Sequence, residues 1–249
     1  MTDKPGRHGR FVHSVDDAMA LLDLLFDDAA DRWTERGGTD FWDRFYADRG
    51  RGVPFFRWAP DESLVRWHAE GRLELRPGTR VLELGCGPGR NAVWFAQQGC
   101  PVDALDLSGA GLDWGRERAT EADVDVTFVQ TDIFGWAADE PYDVVYDSGC
   151  FHHLPPHRRP AYRQLLETHL APGGVFGIAC FAKGGMGDES SDLDVYRAGS
   201  LGGGLAYSDE DLRRAFDWLT EVDLTRMASA SPDSPVFGED FLWAGLFRR

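Results

Sequence analysis

The chain has 249 residues, 43% of them hydrophobic, enough to bury one substantial core in a single α/β unit. Forty-two acidic residues against 26 basic ones give a formal charge of -16 with no basic stripe, which argues against gripping DNA or RNA by counterion release. No apolar run approaches a membrane span, and no apolar core follows the basic residues of positions 1–10, so a cytosolic protein acting on a small molecule, with no nucleic acid and no membrane as partner, is expected.

Residues 1–13 are polar and expected to be loose. From Val15 to Trp33, residues Ala18, Leu21, Leu22, Leu25 and Ala29 recur at helical spacing with acids opposite them, which predicts an amphipathic helix packed on the domain. Thr34–Thr39 reads as a turn-rich link, and Asp40–Pro60 is dense in Phe, Trp and Arg. Trp42, Tyr46, Phe55, Phe56 and Trp58 fit either a core patch or a lid, and aromatic faces stabilise a cation by roughly 0.5–2 kcal/mol. Asp61–Glu70 is helical again through Leu64, Val65 and Trp67, and Arg76-Pro77-Gly78 turns into the first strand.

That strand, Val81-Leu82-Glu83-Leu84, runs straight into Gly85-Cys86-Gly87-Pro88-Gly89-Arg90, and a helix is predicted from Asn91 to Gln98. Glycines turn the backbone tightly and admit a ligand where a Cβ would block it, while the helix N-terminus offers unpaired N–H groups. The spacing selects the ligand. A dinucleotide fingerprint would need its third glycine at Arg90, and no Gly-Lys-Ser/Thr follows for a Walker loop. Glu83, two residues before Gly85, instead suits a cationic ligand such as the aminoacyl end of S-adenosylmethionine (SAM).

The following strand ends carry acids. Pro101–Leu105 ends at Asp106, with Leu107 beside it, about twenty residues past the loop, where a carboxylate takes both hydroxyls of a free ribose. Val124–Val129 ends in Gln130-Thr131-Asp132-Ile133, which sets Asp132 for an adenine amino group and Ile133 for the ring; the alternative is that Asp132 only caps a short helix. Tyr142–Asp147 ends over the glycine loop, with Asp147 either meeting the SAM ammonium or merely closing the strand. His152 and His153 follow, as a general base or as packing residues. A metal held by His152, His153 and His157 is not expected, because Pro155-Pro156 breaks the helical spacing that would align them. Cys86, Cys100, Cys150 and Cys180 contain no C-x-x-C pair and read as reduced, mostly buried thiols.

Further helices are predicted at Gly109–Glu121, Arg158–His169 and Asp209–Phe216, and a terminal strand at Phe241–Phe247. Residues 183–206, with Gly-Gly-Met-Gly and Gly-Gly-Gly, read as a long flexible connection. The alternation implies right-handed crossovers, a parallel sheet covered on both faces, and a ligand outside the carboxyl ends of the strands.

Over roughly residues 78–249 this ordered set resembles the class I SAM-dependent methyltransferases: the Glu83–Gly89 loop, Asp106, Asp132-Ile133, the Asp147 strand end and the Leu170-Ala171-Pro172-Gly173-Gly174 turn. Gly85-Cys86-Gly87-Pro88-Gly89-Arg90-Asn91 is similar to the loop of the tellurite-resistance methyltransferases. Trp42-Asp43-Arg44-Phe45-Tyr46 and Pro54-Phe55 resemble the N-terminal cover of the thiopurine and thiol methyltransferases. Asp147-Ser148-Gly149 stands where those relatives carry Asp-Arg-Gly. The resemblance implies a Rossmann-like, seven-stranded, mostly parallel α/β sheet at 78–249, a helical and aromatic cover at 1–77, and Trp42 as part of the cofactor site. It implies in-line methyl transfer from SAM, leaving S-adenosylhomocysteine (SAH), to a sulfur, nitrogen, oxygen or carbon nucleophile. The alternatives are a non-catalytic SAM-binding scaffold, an aminopropyl transferase, which would need an acidic polyamine pocket, and a nicotinamide oxidoreductase, which the glycine spacing disfavours.

Overall fold

The computed structural model describes residues 12–26 and 38–249. Its centre is a seven-stranded sheet in the order β3-β2-β1-β4-β5-β7-β6. The strands are β1 (Val81–Leu84), β2 (Val102–Asp106), β3 (Thr127–Gln130), β4 (Tyr142–Ser148), β5 (Leu170–Phe181), β6 (Thr220–Arg226) and β7 (Leu242–Arg248). β1 to β5 pair in parallel, while β7 runs antiparallel to both β5 and β6. This is the α/β, Rossmann-like, mostly parallel arrangement expected from the alternating pattern. The order reverses between β1 and β4, so a crevice opens where β1, β2 and β4 end.

Alternation along the strands builds two cores. Leu82, Leu84, Leu105 and Val145 face the layer that contains Tyr162, Leu165 and Leu166 of α6 (Arg159–His169). Val81, Val102, Ala104 and Val144 face Leu64 and Trp67 of α3 (Glu62–Ala69), Phe95 of α4 (Arg90–Gln97) and Leu112 of α5 (Gly109–Glu121). Both faces of β1, β2 and most of β4 are therefore buried, which explains their near-continuous apolar runs, while the edge strand β3 is partly exposed.

Three expectations need correcting. α1 (Val15–Leu24) starts on a Ser14/Asp17 capping box but ends in a turn at 25–26; the remainder of the predicted helix, and residues 1–11, lie outside the described residues. α1 also buries none of its residues, and is held instead by Asp23, which pairs with His157 and Arg158, and by Phe26 just beyond it. The second correction is that α2 (Gly38–Ala47) begins inside the stretch Thr34–Thr39 read as a turn-rich link, whose first residues, 34–37, lie outside the described residues.

Residues 183–206 are not a loose connection. They contain α7 (Asp192–Ala198), bury Val195, Leu201 and Leu205, and are tied back by the bridge Asp188↔Leu205 and by the Leu205 amide donating to the His152 carbonyl at 2.7 Å. Apolar anchors four to six apart override the glycines that suggested looseness. α8 (Asp209–Ala215) follows, on a Ser208/Asp211 capping box. Among the described residues no helix is long and apolar enough to cross a membrane.

Candidate active site

The glycine loop turns as its composition demands, with Gly85, Gly87 and Gly89 all at positive φ. What their missing side chains admit, however, is protein. A Cβ on Gly85 would stand 2.7 Å from Cys150 Cβ, one on Gly87 would stand 2.6 Å from the Tyr46 hydroxyl, and one on Gly89 would stand 2.8 Å from the Phe128 ring. Gly111 makes further room for Tyr46, and Gly115 for Phe128. The glycines therefore bring the β4 turn, the N-terminal cover and the β3 strand up against the loop. Of the three, only Gly85 reaches the cavity beside it.

Asp106 ends β2 with both carboxylate oxygens engaged once: the Gly87 amide donates to Oδ2 at 2.7 Å and the Ser108 amide to Oδ1 at 2.8 Å. Each oxygen retains a lone pair. Burial raises its pKa to about 6, with the Ser108, Gly87 and Leu107 amides opposing and Asp43 adding to the rise. Asp43 belongs to α2 and accepts from the Ser108 hydroxyl at 2.7 Å and the Ala110 amide at 3.1 Å, so a cover residue caps the start of α5. At the other end of the cover, Arg49 pairs with Glu117, and Arg118 donates to the carbonyls of Phe56 and Pro88.

The cover's aromatic residues form one stacked group. Tyr46 stacks on Trp42 and on Phe56, with ring centres 5.8 Å apart in each pair, and Phe45 stacks on Phe55. Trp42 also meets the His153 ring edge-on at 5.1 Å, which joins the cover to the β4 turn. Of the residues read as core patch or lid, Trp42, Tyr46 and Phe55, together with Phe45, are part of the cavity wall, Phe56 is buried away from it and Trp58 is 42% exposed.

Beyond β3, Asp132 caps a single helical turn by accepting from the Phe134 amide at 3.0 Å, and its carboxylate remains exposed at the cavity next to buried Ile133. Asp147 is different, and its assignment to a ligand ammonium is corrected here. It is wholly buried and accepts from the amides of Gly149, Cys150 and Phe151 and from the Tyr162 hydroxyl. Its lone pairs build the β4 turn. Glu83 likewise lies behind the wall, 2% exposed, and burial pushes its carboxyl up to about 8, partly opposed by Arg90. The Cys150 thiol lines the cavity, but burial raises its pKa, so it stays protonated.

The two histidines hold each other. The Phe181 amide donates to His152 Nδ1 at 3.1 Å, which leaves the His152 proton on Nε2, and that proton points at His153 Nε2, 3.2 Å away. His152 also stacks on Phe181 with ring centres 3.7 Å apart and is 3% exposed. A further proton on either facing nitrogen would set N–H against N–H. The arrangement shapes a wall of the cavity and turns the two Nε2 atoms toward each other.

Together these groups enclose a cavity of about 360 Å³, within the roughly 300–1,000 Å³ typical of small-molecule sites. It brings together Trp42, Gly85, Asp106, Leu107, Asp132, Ile133, His152 and His153, and excludes Glu83, Gly87, Gly89 and Asp147 from its lining. Sequence reasoning missed Tyr46 as a partner of the glycine loop, Arg90 and Ser148 on the wall, and the apolar group Phe181, Met186, Phe237 and Phe241. No local signal marks those four, since they come from the end of β5 and the segments around 186 and 237–241, all remote in sequence from the glycine loop. No cluster of potential metal ligands is present among the described residues.

Comparison with known proteins agrees with this architecture. Residues 81–174 match a family model described as a methyltransferase domain. A thiopurine S-methyltransferase of Pseudomonas putida (strain GB-1) is 31% identical over 211 residues, spanning 77% of this chain and 89% of that protein. An uncharacterized methyltransferase of Synechocystis is 32% identical over 111 residues, and there the chain spans about half (49%) of the relative. A solved 1,6-didemethyltoxoflavin-N1-methyltransferase of Burkholderia thailandensis, with bound S-adenosylhomocysteine, superimposes with a TM-score of 0.56 at 19% identity, covering 97% of this chain and 93% of that one. With the match covering 89% of the Pseudomonas relative at 31% identity, the chain belongs to the class I S-adenosylmethionine-dependent methyltransferases.

Proposed function

We propose that this protein methylates an apolar small molecule at a sulfur that is already ionised, in the cavity between the strand ends and α2. The observation that carries the reading is how the cavity is divided. Gly85, Asp106 and Asp132 lie at the ends of β1, β2 and β3, whereas Phe181 and Leu242 lie where β5 ends and β7 begins, across the sheet order. One half offers carboxylates and backbone, and the other offers hydrocarbon.

The residues present fit an adenosyl donor. Asp106 keeps a lone pair on each oxygen for the ribose hydroxyls, the exposed Asp132 carboxylate suits the adenine amino group, and Ile133 offers an apolar face to the ring. SAM supplies a methyl group on a sulfonium, an electrophile that needs an electron pair from the acceptor. Trp42 and Tyr46 exclude water above it, and aromatic faces favour its positive charge. Holding donor and acceptor together provides much of the rate.

Because the two Nε2 atoms face one another, the acceptor in this reading arrives as an anion, which a thiol does far more readily than a phenol at neutral pH. The thiopurine S-methyltransferase relative supports sulfur as the methylated atom. The reduced state of Cys86, Cys100, Cys150 and Cys180 accords with action in the cytoplasm. A panel of aryl thiols, arylamines and phenols of matched shape, incubated with methyl-labelled SAM, tests the proposal. Label should accumulate on sulfur. Faster transfer to the phenol or amine would overturn the sulfur assignment, and SAH binding with no transfer to any acceptor would restore the scaffold alternative.

A further inference from the structure

Arg90 carries a buried charge that neither the motif reading nor the mechanism uses. It is 7% exposed, yet it lines the cavity beside Gly85 and Ser148. Nη1 lies 2.6 Å from Asp61 Oδ1 and donates to the Ala59 carbonyl at 3.3 Å; Nη2 donates to the Ser148 hydroxyl at 2.9 Å; and the Phe237 ring lies 4.2 Å from the guanidinium carbon. Nη1 thus forms an ion pair with Asp61 and one hydrogen bond to Ala59, and Nη2 gives one proton to Ser148. A second Nη2 proton and the hydroxyl proton of Ser148 remain to be donated.

The guanidinium is also held still. Asp61 is completely buried, and its Oδ2 accepts from the Tyr146 hydroxyl at 2.7 Å and from Asn91 Nδ2 at 3.1 Å, while its own amide donates to Asn91 Oδ1. Three elements (α3, α4 and β4) thus fix the carboxylate that fixes Arg90. A preorganised donor in a site shielded from water binds an anion without rearrangement.

We propose that Arg90, with Ser148, holds the carboxylate of the donor's aminoacyl end; this rests on the donor-site reading above. The aminoacyl group is a zwitterion, and Glu83 and Asp147, the two acids first matched to its ammonium, are both withdrawn from the wall. The charged group that does reach the wall between the glycine loop and β4 is cationic, so the anionic half of the zwitterion is the half it recognises. Asp61 is a positioning residue in this scheme and acts through Arg90.

Calorimetry with two ligands tests this. SAH carries the aminoacyl group, and 5′-methylthioadenosine has the same adenosine and thioether without it. Arg90→Gln should weaken SAH roughly 10- to 100-fold while changing methylthioadenosine by no more than about twofold, and Ser148→Ala should give a smaller loss of the same kind. Arg90→Gln strands the Asp61 charge, so the paired variant Arg90→Met with Asp61→Asn, which removes both charges, is measured alongside and should show the same split. Equal loss of both ligands in the paired variant would make the cluster purely structural and overturn the inference, as would unchanged SAH affinity. Failure of the wild-type protein to bind SAH would overturn the donor-site reading beneath it.

Discussion

Replacing Glu83 with glutamine isolates the cost of burying a carboxyl behind the glycine loop. Glu83 sits on β1 with both neighbouring strands paired, 2% exposed, and Oε2 has no hydrogen-bond partner among the described residues. Desolvation raises its pKa from 4.5 to about 8, Asp61 adds to the rise, and Arg90 and Asn91 oppose it. The folded protein therefore holds this proton more tightly than the unfolded chain does. Its stabilising contribution is complete below about pH 4.5, declines as the unfolded chain ionises, and is gone once the pH passes about 8. At about 1.36 kcal/mol per unit, a rise of this size amounts to roughly 2–5 kcal/mol. Glutamine has the same shape and cannot ionise. Urea unfolding at pH 6 and pH 9 should show the wild type losing about 2 kcal/mol or more relative to Glu83→Gln on going to the higher pH. Parallel loss in the two proteins would refute the burial argument, because every other titrating group is common to both.

Asp147→Ala leaves three backbone amides and the Tyr162 hydroxyl without their acceptor, so a loss of about 3 kcal/mol or more is expected in thermal unfolding, and a loss below about 1 kcal/mol would contradict the turn-building role. Asp43→Ala removes the contact of α2 with Ser108 and Ala110, worth about 1 kcal/mol, and limited proteolysis should cut residues 38–60 faster, with SAH binding weakened in step. His153→Ala should lower kcat with a thiol acceptor by less than about tenfold and leave the shape of its pH profile the same as that of the wild type between pH 6 and 8; a loss of 10² or more would return a base role to the pair.

The parallel half of the fold was legible because its strands are apolar runs that end in Gly, Asp or Asn-like punctuation, as at Leu84-Gly85 and Leu105-Asp106. β6 was not, because as an edge strand it is half exposed and alternates Glu221, Asp223 and Thr225 with only Val222 and Leu224. The acids at the strand ends looked equivalent in sequence. They differ in what donates to them: Asp106 meets two amides at the cavity edge, while Asp147 meets three amides and a tyrosine in the interior. That distinction depends on Tyr162 in α6, fifteen residues away and invisible to a local motif. The glycines misled in the same way, since the bodies they admit, Tyr46 and Phe128, come from other elements.

The account's central claim is that the cavity under α2 is the donor site and that Asp106 anchors it. Titration of SAH into the wild-type protein and into Asp106→Ala tests it most directly, with NADH as the control ligand. One SAH should bind each wild-type chain, the variant should bind at least about tenfold more weakly through loss of charged hydrogen bonds, and NADH should not bind. Equal SAH affinity in the two proteins, or binding of NADH in place of SAH, would contradict the claim.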